Sequence, residues 1–283
     1  MNQTDNKITK TGYIGIGQIG RAVAENVLAG GLDLMVYDVR QEPMDEMAKL
    51  GAKTADCPRE VGQHAELIEI SVVDDAQVLD VIAGPDGILS GARPGTIIAI
   101  HSTIHPRTPQ KAADIAKEKG VHVVDACLSG GASGTRAHTL VYMVGGEAED
   151  VERCRPVFET SGKDIFHVGP VGMGAATKLA QQVMICLNRL SAYEGMRLAE
   201  KAGVDMEKLR QICHLTNAQS LVVDHWDQHR HIAMAGTDQA SAVAHAFWKG
   251  LNPALELGHE LGMPMLATAL VHELFPQILG MED

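Results

Sequence analysis

The chain predicts an α/β domain, then one long helix, then an all-helical C-terminal domain. Three observations predict it. Short apolar runs alternate with helix-period segments from Thr11 to Val168, the rhythm of a doubly wound parallel sheet. After Gly174 no proline occurs until Pro253, and Ala176, Leu179, Val183, Cys186, Leu190 and Tyr193 recur at steps of three and four. Beyond Gly203 every apolar pattern is helical. At 283 residues and 45% hydrophobic content the chain suffices for two domains with their own cores. The expected division is a sheet domain over 1–168, a loop and long helix over 169–202, and a helical domain over 203–283.

The first strand, Thr11–Ile16, runs into Gly15-Ile16-Gly17-Gln18-Ile19-Gly20. Ile19, Val23, Ala24 and Val27 then continue at helical spacing to Gly30-Gly31, and a second strand, Leu34–Tyr37, ends at Asp38. In such an array the first glycine permits a tight turn and the second lets backbone approach a pyrophosphate. The third lets the helix pack on the strand, and the helix N-terminus supplies N–H groups and a partial positive charge. This is the Rossmann-type dinucleotide-binding arrangement, so Gly15, Gly17, Gln18, Ile19 and Gly20 are predicted cofactor contacts. Asp38, 18 residues after Gly20, is placed to bond the adenosine ribose hydroxyls. A carboxylate there repels a 2′-phosphate, which favours NAD, with NADP the alternative. Arg40 is the residue that would pair with that phosphate; otherwise it is a solvated loop arginine.

Leu67–Val73 reads as a strand, Asp74-Asp75 as a helix start, Val78–Ile82 as helix and Gly84–Gly87 as a turn. Thr96–Ile100 is a buried strand followed by His101-Ser102-Thr103-Ile104-His105-Pro106. Residues past strand ends line the ligand crevice of such sheets, so Val73 and Thr103 are candidate cofactor contacts. His101 and His105 read as hydrogen-bonded loop histidines. Strand Val121–Ala126 leads to Asp125-Ala126-Cys127-Leu128-Ser129-Gly130-Gly131-Ala132-Ser133-Gly134. Ser129, Gly130 and Gly131 offer backbone N–H groups and one hydroxyl, suited to gripping a carboxylate. The other reading is a plain hairpin loop into strand Leu140–Val144. Helix Ala148–Glu159 and strand Ile165–Val168 close the domain.

Gly169, Gly172 and Gly174 form a flexible entry to the long helix, and Gly203 suits its left-handed end. About 29 residues at ~1.5 Å rise make a rod of roughly 43 Å. Lys178 stands one turn before Gln182 on a shared face. The lysine is the predicted catalytic group, with Gln182 orienting it or the substrate hydroxyl. The remaining helices are expected at Met206–Leu215, Ser220–Asp227, Ser241–Lys249, Pro253–Gly262 and Pro264–Leu274.

With 24 basic and 36 acidic residues the net charge is −12, which argues against nucleic-acid or anionic-membrane binding. No apolar run reaches membrane-span length, and the polar first ten residues lack a secretory core. Five scattered cysteines without a CxxC pair suggest reduced thiols and a cytoplasmic protein. His225 and His229 have metal-ligand spacing, yet no cysteine or carboxylate motif accompanies them and His231 is out of phase. A solvated histidine segment is the expectation, with no metal.

Four stretches in order now resemble the β-hydroxyacid dehydrogenases, the family of 3-hydroxyisobutyrate dehydrogenase, tartronate semialdehyde reductase and, more distantly, 6-phosphogluconate dehydrogenase. They are the glycine loop with Asp38, the Asp125–Gly134 segment, Gly169–Gln182 and Phe247–Gly258. The resemblance implies a homodimer or homotetramer that binds NAD(P) and a small carboxylate. It implies that Ser129, Gly130 and Gly131 hold the substrate carboxylate and that Lys178 is the acid/base. It implies too that Thr103 contacts the cofactor and Lys249 the nicotinamide side. Gln182 stands where the family usually has asparagine, Gly250 where an aspartate follows the lysine, and His138 where glycine is common. These departures bear on the choice of hydroxy acid. Two rivals are an NAD-binding sensor or assembly protein without turnover and a reductase of a related carbonyl or imine. Retention of the lysine speaks against both.

Overall fold

Among the described residues, eight strands form one sheet: β1 (Lys10–Ile14), β2 (Asp33–Tyr37), β3 (Lys53–Thr54), β4 (Leu67–Ile70), β5 (Ile97–Ile100), β6 (His122–Ser129), β7 (Leu140–Gly145) and β8 (Gly162–Gly169). The computed structural model describes residues 7–229 and 247–278. Strand order is β3-β2-β1-β4-β5-β6-β7-β8. The helices of this part are α1 (Gln18–Ala29), α2 (Gln41–Leu50), α3 (Pro58–His64), α4 (Asp75–Ala83), α5 (Arg107–Lys117), α6 (Gly131–Arg136) and α7 (Ala148–Phe158). Successive residues of β5 feed opposite cores: Ile97 and Ala99 join Val23, Val27 and Phe158, while Ile98 and Ile100 join Val78, Ile82 and Ala112. Burial on both faces is why the strand has no polar alternation. Packing divides the chain into two compact units, Met1–Lys178 and Leu179–Asp283.

The fully parallel sheet expected from the alternation stops at β6, because β7 pairs with it antiparallel. The connection from Ser129 to Leu140 is shorter than the dozen or so residues that a parallel crossover needs. That connection is not a bare hairpin loop either, since it contains α6. β4 ends at Ile70 rather than Val73, which leaves Val73 exposed past the strand end. Asp74 caps α4 as its position suggests, accepting from the Gln77 N–H at 2.9 Å.

α8 (Met173–Lys201) runs for 29 residues, with Gly203 at φ +76° just beyond it. Leu179, Cys186, Ala192 and Met196 are its buried stripe. The helical unit continues with α9 (Met206–His214), α10 (Leu221–Asp224), α11 (Trp226–His229), α12 (Leu251–Glu260) and α13 (Leu266–Ile278). Cys186, Leu251, Val271 and Phe275 form one core, and Ala192, Met196, Val222, Val223 and Trp226 another. The single helix expected over Ser220–Asp227 is two, broken at His225. His225 falls at the break between them, and the His229 side chain and His231 lie outside what is described. Of the helix expected over Ser241–Lys249, only Phe247, Trp248 and Lys249 are described, and they are helical.

Candidate active site

Each βα crossover of a parallel sheet turns at the strand's carboxyl end, so the loops after β1, β2, β4, β5 and β6 share one edge. The order reverses between β1 and β4, and there the glycine loop sits. Gly15 has φ +88°, and a Cβ on it would strike the Ser71 carbonyl at the end of β4. A Cβ on Gly20 would strike the Gly15 carbonyl, so α1 can lie against β1 only with hydrogen at that position. Gly17 differs: a Cβ there would meet nothing within 4 Å. Its side-chain space is therefore open, and it caps α1 with no side-chain hydrogen bond and no acid in the first turn. Gln18 and Ile19 form that first turn, with Ile19 exposed. An uncapped helix start beside an open cradle fits a diphosphate.

Asp38 is buried and accepts from the Ile16 N–H at 2.9 Å, which ties it to the glycine loop. Arg40 donates to it from its backbone N–H at 2.9 Å and from its guanidinium at 3.0 and 3.2 Å. Burial pushes the Asp38 carboxyl up, but the Arg40 and Ile16 hydrogen bonds outweigh it and hold the group below the usual carboxylate range. Arg40 is thus engaged by the carboxylate. The ends of β4 and β5 are stapled by Ser102, whose hydroxyl bonds both the N–H (3.0 Å) and the carbonyl (2.7 Å) of Val72. Thr103 follows that staple, half-buried, while Val73 is exposed.

His101, just past the end of β5, is hydrogen-bonded as expected, but toward the interior. It is buried, with Nδ1 at 2.6 Å from the Ala126 carbonyl and Nε2 at 2.9 Å from Glu69. Its ring lies against Tyr13, Tyr142 and Phe158, so its role is a polar link inside the core. His105 is a loop histidine as expected, its Nδ1 accepting from the Arg107 N–H at 3.2 Å.

At the end of β6, Ser129 is half-buried, and Gly130 and Gly131 are exposed with φ +131° and +61°. A Cβ on Gly131 would meet nothing within 4 Å, so this backbone too has open space in front of it. Four residues earlier on β6, Asp125 is 1% exposed and accepts from the N–H groups of Gly172 and Ala175, each at 2.7 Å. Burial outweighs these bonds and pushes its carboxyl up to about 6. Lys178, one turn into α8 from there, is 9% exposed. Its charge is felt at Cys127, whose thiol is pushed up to about 12 by burial and by Asp125 and eased downward by Lys178. That thiol packs with Met143 and Ala175 and points to the Ser102 carbonyl at 3.6 Å. The lysine therefore lies near Cys127 on β6.

In the helical unit, Gln182 is 3% exposed and its Nε2 donates to the Phe247 carbonyl at 3.2 Å. A Cβ on Gly250 would lie 3.0 Å from Gln182 Cγ, so the absent side chain at 250 makes room for the longer amide. Lys249 is half-buried in the short helical stretch between them. Asp125 is the residue that sequence reasoning passed over. It was visible as the acid of a Ser-Gly-Gly segment, but its partners are amides 47 and 50 residues further on.

Residues 10–169 match the NAD binding domain of 6-phosphogluconate dehydrogenase, and residues 172–282 match the NAD-binding region of NADP-dependent 3-hydroxyisobutyrate dehydrogenase. The chain belongs to the 3-hydroxyisobutyrate dehydrogenase family of β-hydroxyacid dehydrogenases. It is 31% identical over 281 residues to a probable mitochondrial 3-hydroxyisobutyrate dehydrogenase of Dictyostelium discoideum, covering 96% of this chain and 86% of that one. It is also 31% identical over 281 residues to 2-(hydroxymethyl)glutarate dehydrogenase of Eubacterium barkeri, covering 98% and 93%. The structure of Mycobacterium tuberculosis 3-hydroxyisobutyrate dehydrogenase with L-serine shares the fold, at a TM-score of 0.84 and 22% identity over 95% and 93% of the two chains. This β-hydroxyacid dehydrogenase is an NAD(P)-dependent oxidoreductase acting on CH–OH groups of small hydroxy acids. No helix among the described residues is long and apolar enough to cross a membrane.

Proposed function

We propose that the protein is an NAD-dependent dehydrogenase that interconverts a small β-hydroxy acid, 3-hydroxyisobutyrate or a close analogue, and its semialdehyde, with Lys178 as acid/base. The observation that carries this is the burial of Lys178 in the first turns of α8, its charge felt at Cys127 on β6, the strand that runs into Ser129-Gly130-Gly131. A lysine kept from bulk water without membership of an apolar core has a task there. The bound nicotinamide supplies the hydride acceptor or donor. The chain's part is to hold and titrate. The amides of Gly130 and Gly131 and the Ser129 hydroxyl grip the carboxylate, which fixes the carbon bearing the hydroxyl. Lys178 Nζ takes the hydroxyl proton in oxidation and returns it in reduction. Gln182, one turn along α8, orients that amine or the hydroxyl. Lys249 and Thr103 keep their roles as cofactor contacts on the family resemblance.

Gly15, Gly17, Gln18, Ile19, Gly20 and Val73 are assigned to the cofactor, and Asp38 to its ribose. Asp38 supports NAD over NADP, because its carboxylate already takes up Arg40 and repels a 2′-phosphate. In this reading residues 1–168 bind the cofactor, 169–202 carry the lysine and 203–283 complete a homodimer or homotetramer. Exposed Leu198, Ile212, Leu215, Leu261, Leu266 and Leu270 support association of the helical unit. Five cysteines without a disulfide support a reducing, cytoplasmic setting. The test is turnover of 3-hydroxyisobutyrate, 2-(hydroxymethyl)glutarate, L-serine and glycerate in turn with NAD and with NADP. Turnover of at least one acid, faster with NAD, is expected. Tight NAD binding with no turnover across the panel contradicts the proposal.

A further inference from the structure

Asp125 is a carboxylate midway along core strand β6 with both oxygens committed to backbone beyond that strand. Oδ1 accepts from Gly172 N–H and Oδ2 from Ala175 N–H, each at 2.7 Å. One oxygen therefore holds the loop before α8 and the other holds its first turn. The fit around this bracket tolerates no sliding. A Cβ on Gly145 would lie 2.5 Å from Asp125 Oδ1 and 2.7 Å from the Pro170 carbonyl. A Cβ on Gly174 would strike the Asp125 carbonyl and lie 2.5 Å from that of Met143. The helix backbone thus rests directly on β6 and β7. Ala175 is also buried against Cys127 and Met143.

Lys178 follows Ala175 by three residues, less than one turn. The direction of its side chain is therefore set by the rotation of this first turn, and a slip of one residue swings it by about 100°. We infer that Asp125 is a positioning residue: it locks the start of α8 in the rotation that aims Lys178 at the reacting hydroxyl. The inference rests on the lysine reading above. It also explains why a costly buried carboxylate sits at this point of β6, since an apolar residue there would leave the Gly172 and Ala175 amides unsatisfied.

The test compares Asp125→Ala, Asp125→Asn and Lys178→Ala in the full chain, with NAD and the hydroxy acid turned over fastest by the parent protein. A misplacement of about 1 Å costs on the order of 100-fold in the chemical step. Asp125→Ala is expected to lose about that in kcat, and Asp125→Asn, which keeps one acceptor, about 10-fold. KM for NAD and for the acid should stay within about threefold, and the isotope effect from deuterium on the hydroxyl-bearing carbon should rise as chemistry becomes limiting. If Asp125→Ala fails to fold, Asp125→Asn carries the same test. Near-parental kcat in Asp125→Asn beside an inactive Lys178→Ala overturns the positioning role alone. So does a fall that vanishes when rates are expressed per active site titrated with cofactor, which marks a merely structural part. An active Lys178→Ala overturns the lysine reading, and this inference with it.

Discussion

In the α/β unit the proposed site is held by backbone, and in the helical unit by side chains. Gly15, Gly20, Gly145 and Gly174 each sit where a Cβ would run into a carbonyl or a buried carboxylate oxygen. Gln182 is instead held by one hydrogen bond to Phe247 and by the space that Gly250 leaves. Backbone contacts of the first kind leave little freedom. Side-chain contacts of the second kind are easily exchanged. Gln182 and Gly250, the two departures that the family resemblance marks in the helical unit, lie against each other.

Two glycines three residues apart give the sharpest way to break this contrast. Gly20→Ala forces the new methyl onto the Gly15 carbonyl and is expected to cost about 3 kcal/mol or more of stability, read by denaturant unfolding. Gly17→Ala meets no protein atom and should unfold like the parent, while NAD affinity by calorimetry falls about 10-fold or more as the methyl fills the cradle. Equal stability loss in both would mean that the loop, not the cofactor, requires Gly17.

The two buried aspartates sharpen it through pH. Asp125 is pushed above its unfolded value of 3.8 to about 6, so the folded state binds its proton more tightly. Its contribution is fully present below pH 3.8 and is lost as pH rises through about 6, about 3 kcal/mol across the window. Asp38 has the opposite sign: its depressed carboxyl stabilises above its unfolded value and loses that as pH falls below it. Unfolding of Asp125→Asn between pH 4 and 7 should therefore lack the parent's decline. A parallel decline in both proteins would contradict the assignment.

The smallest effect expected is at Gly250. Gly250→Ala brings a methyl to 3.0 Å from Gln182 Cγ, which the flexible amide can accommodate by a few tenths of an ångström. Stability should change by less than about 1 kcal/mol, while the ranking of hydroxy acids in the panel shifts. An unchanged ranking would separate Gly250 from substrate choice.

Much of this was legible in sequence, for reasons that also mark the limits. The glycine loop, Asp38 and the long helix are local patterns, and local patterns survive in one dimension. Lys178 stood out because it follows a glycine-rich loop at the start of an unbroken apolar stripe. Asp125 did not, since its partners are distant backbone amides that no side-chain pattern announces. The His101–Glu69 pair was hidden similarly: a polar residue inside β4 and another just past β5 look like noise until the two strands are seen side by side. The reversal of β7 was readable from the length of its connection, but the Ser-Gly-Gly run drew attention to chemistry instead.

The most direct test of the whole account is Lys178→Ala, measured for NAD binding and for turnover on the same preparation. Unchanged NAD affinity with kcat lowered by about 1,000-fold or more is the predicted result. A variant that turns over hydroxy acid at close to the parent rate would contradict it.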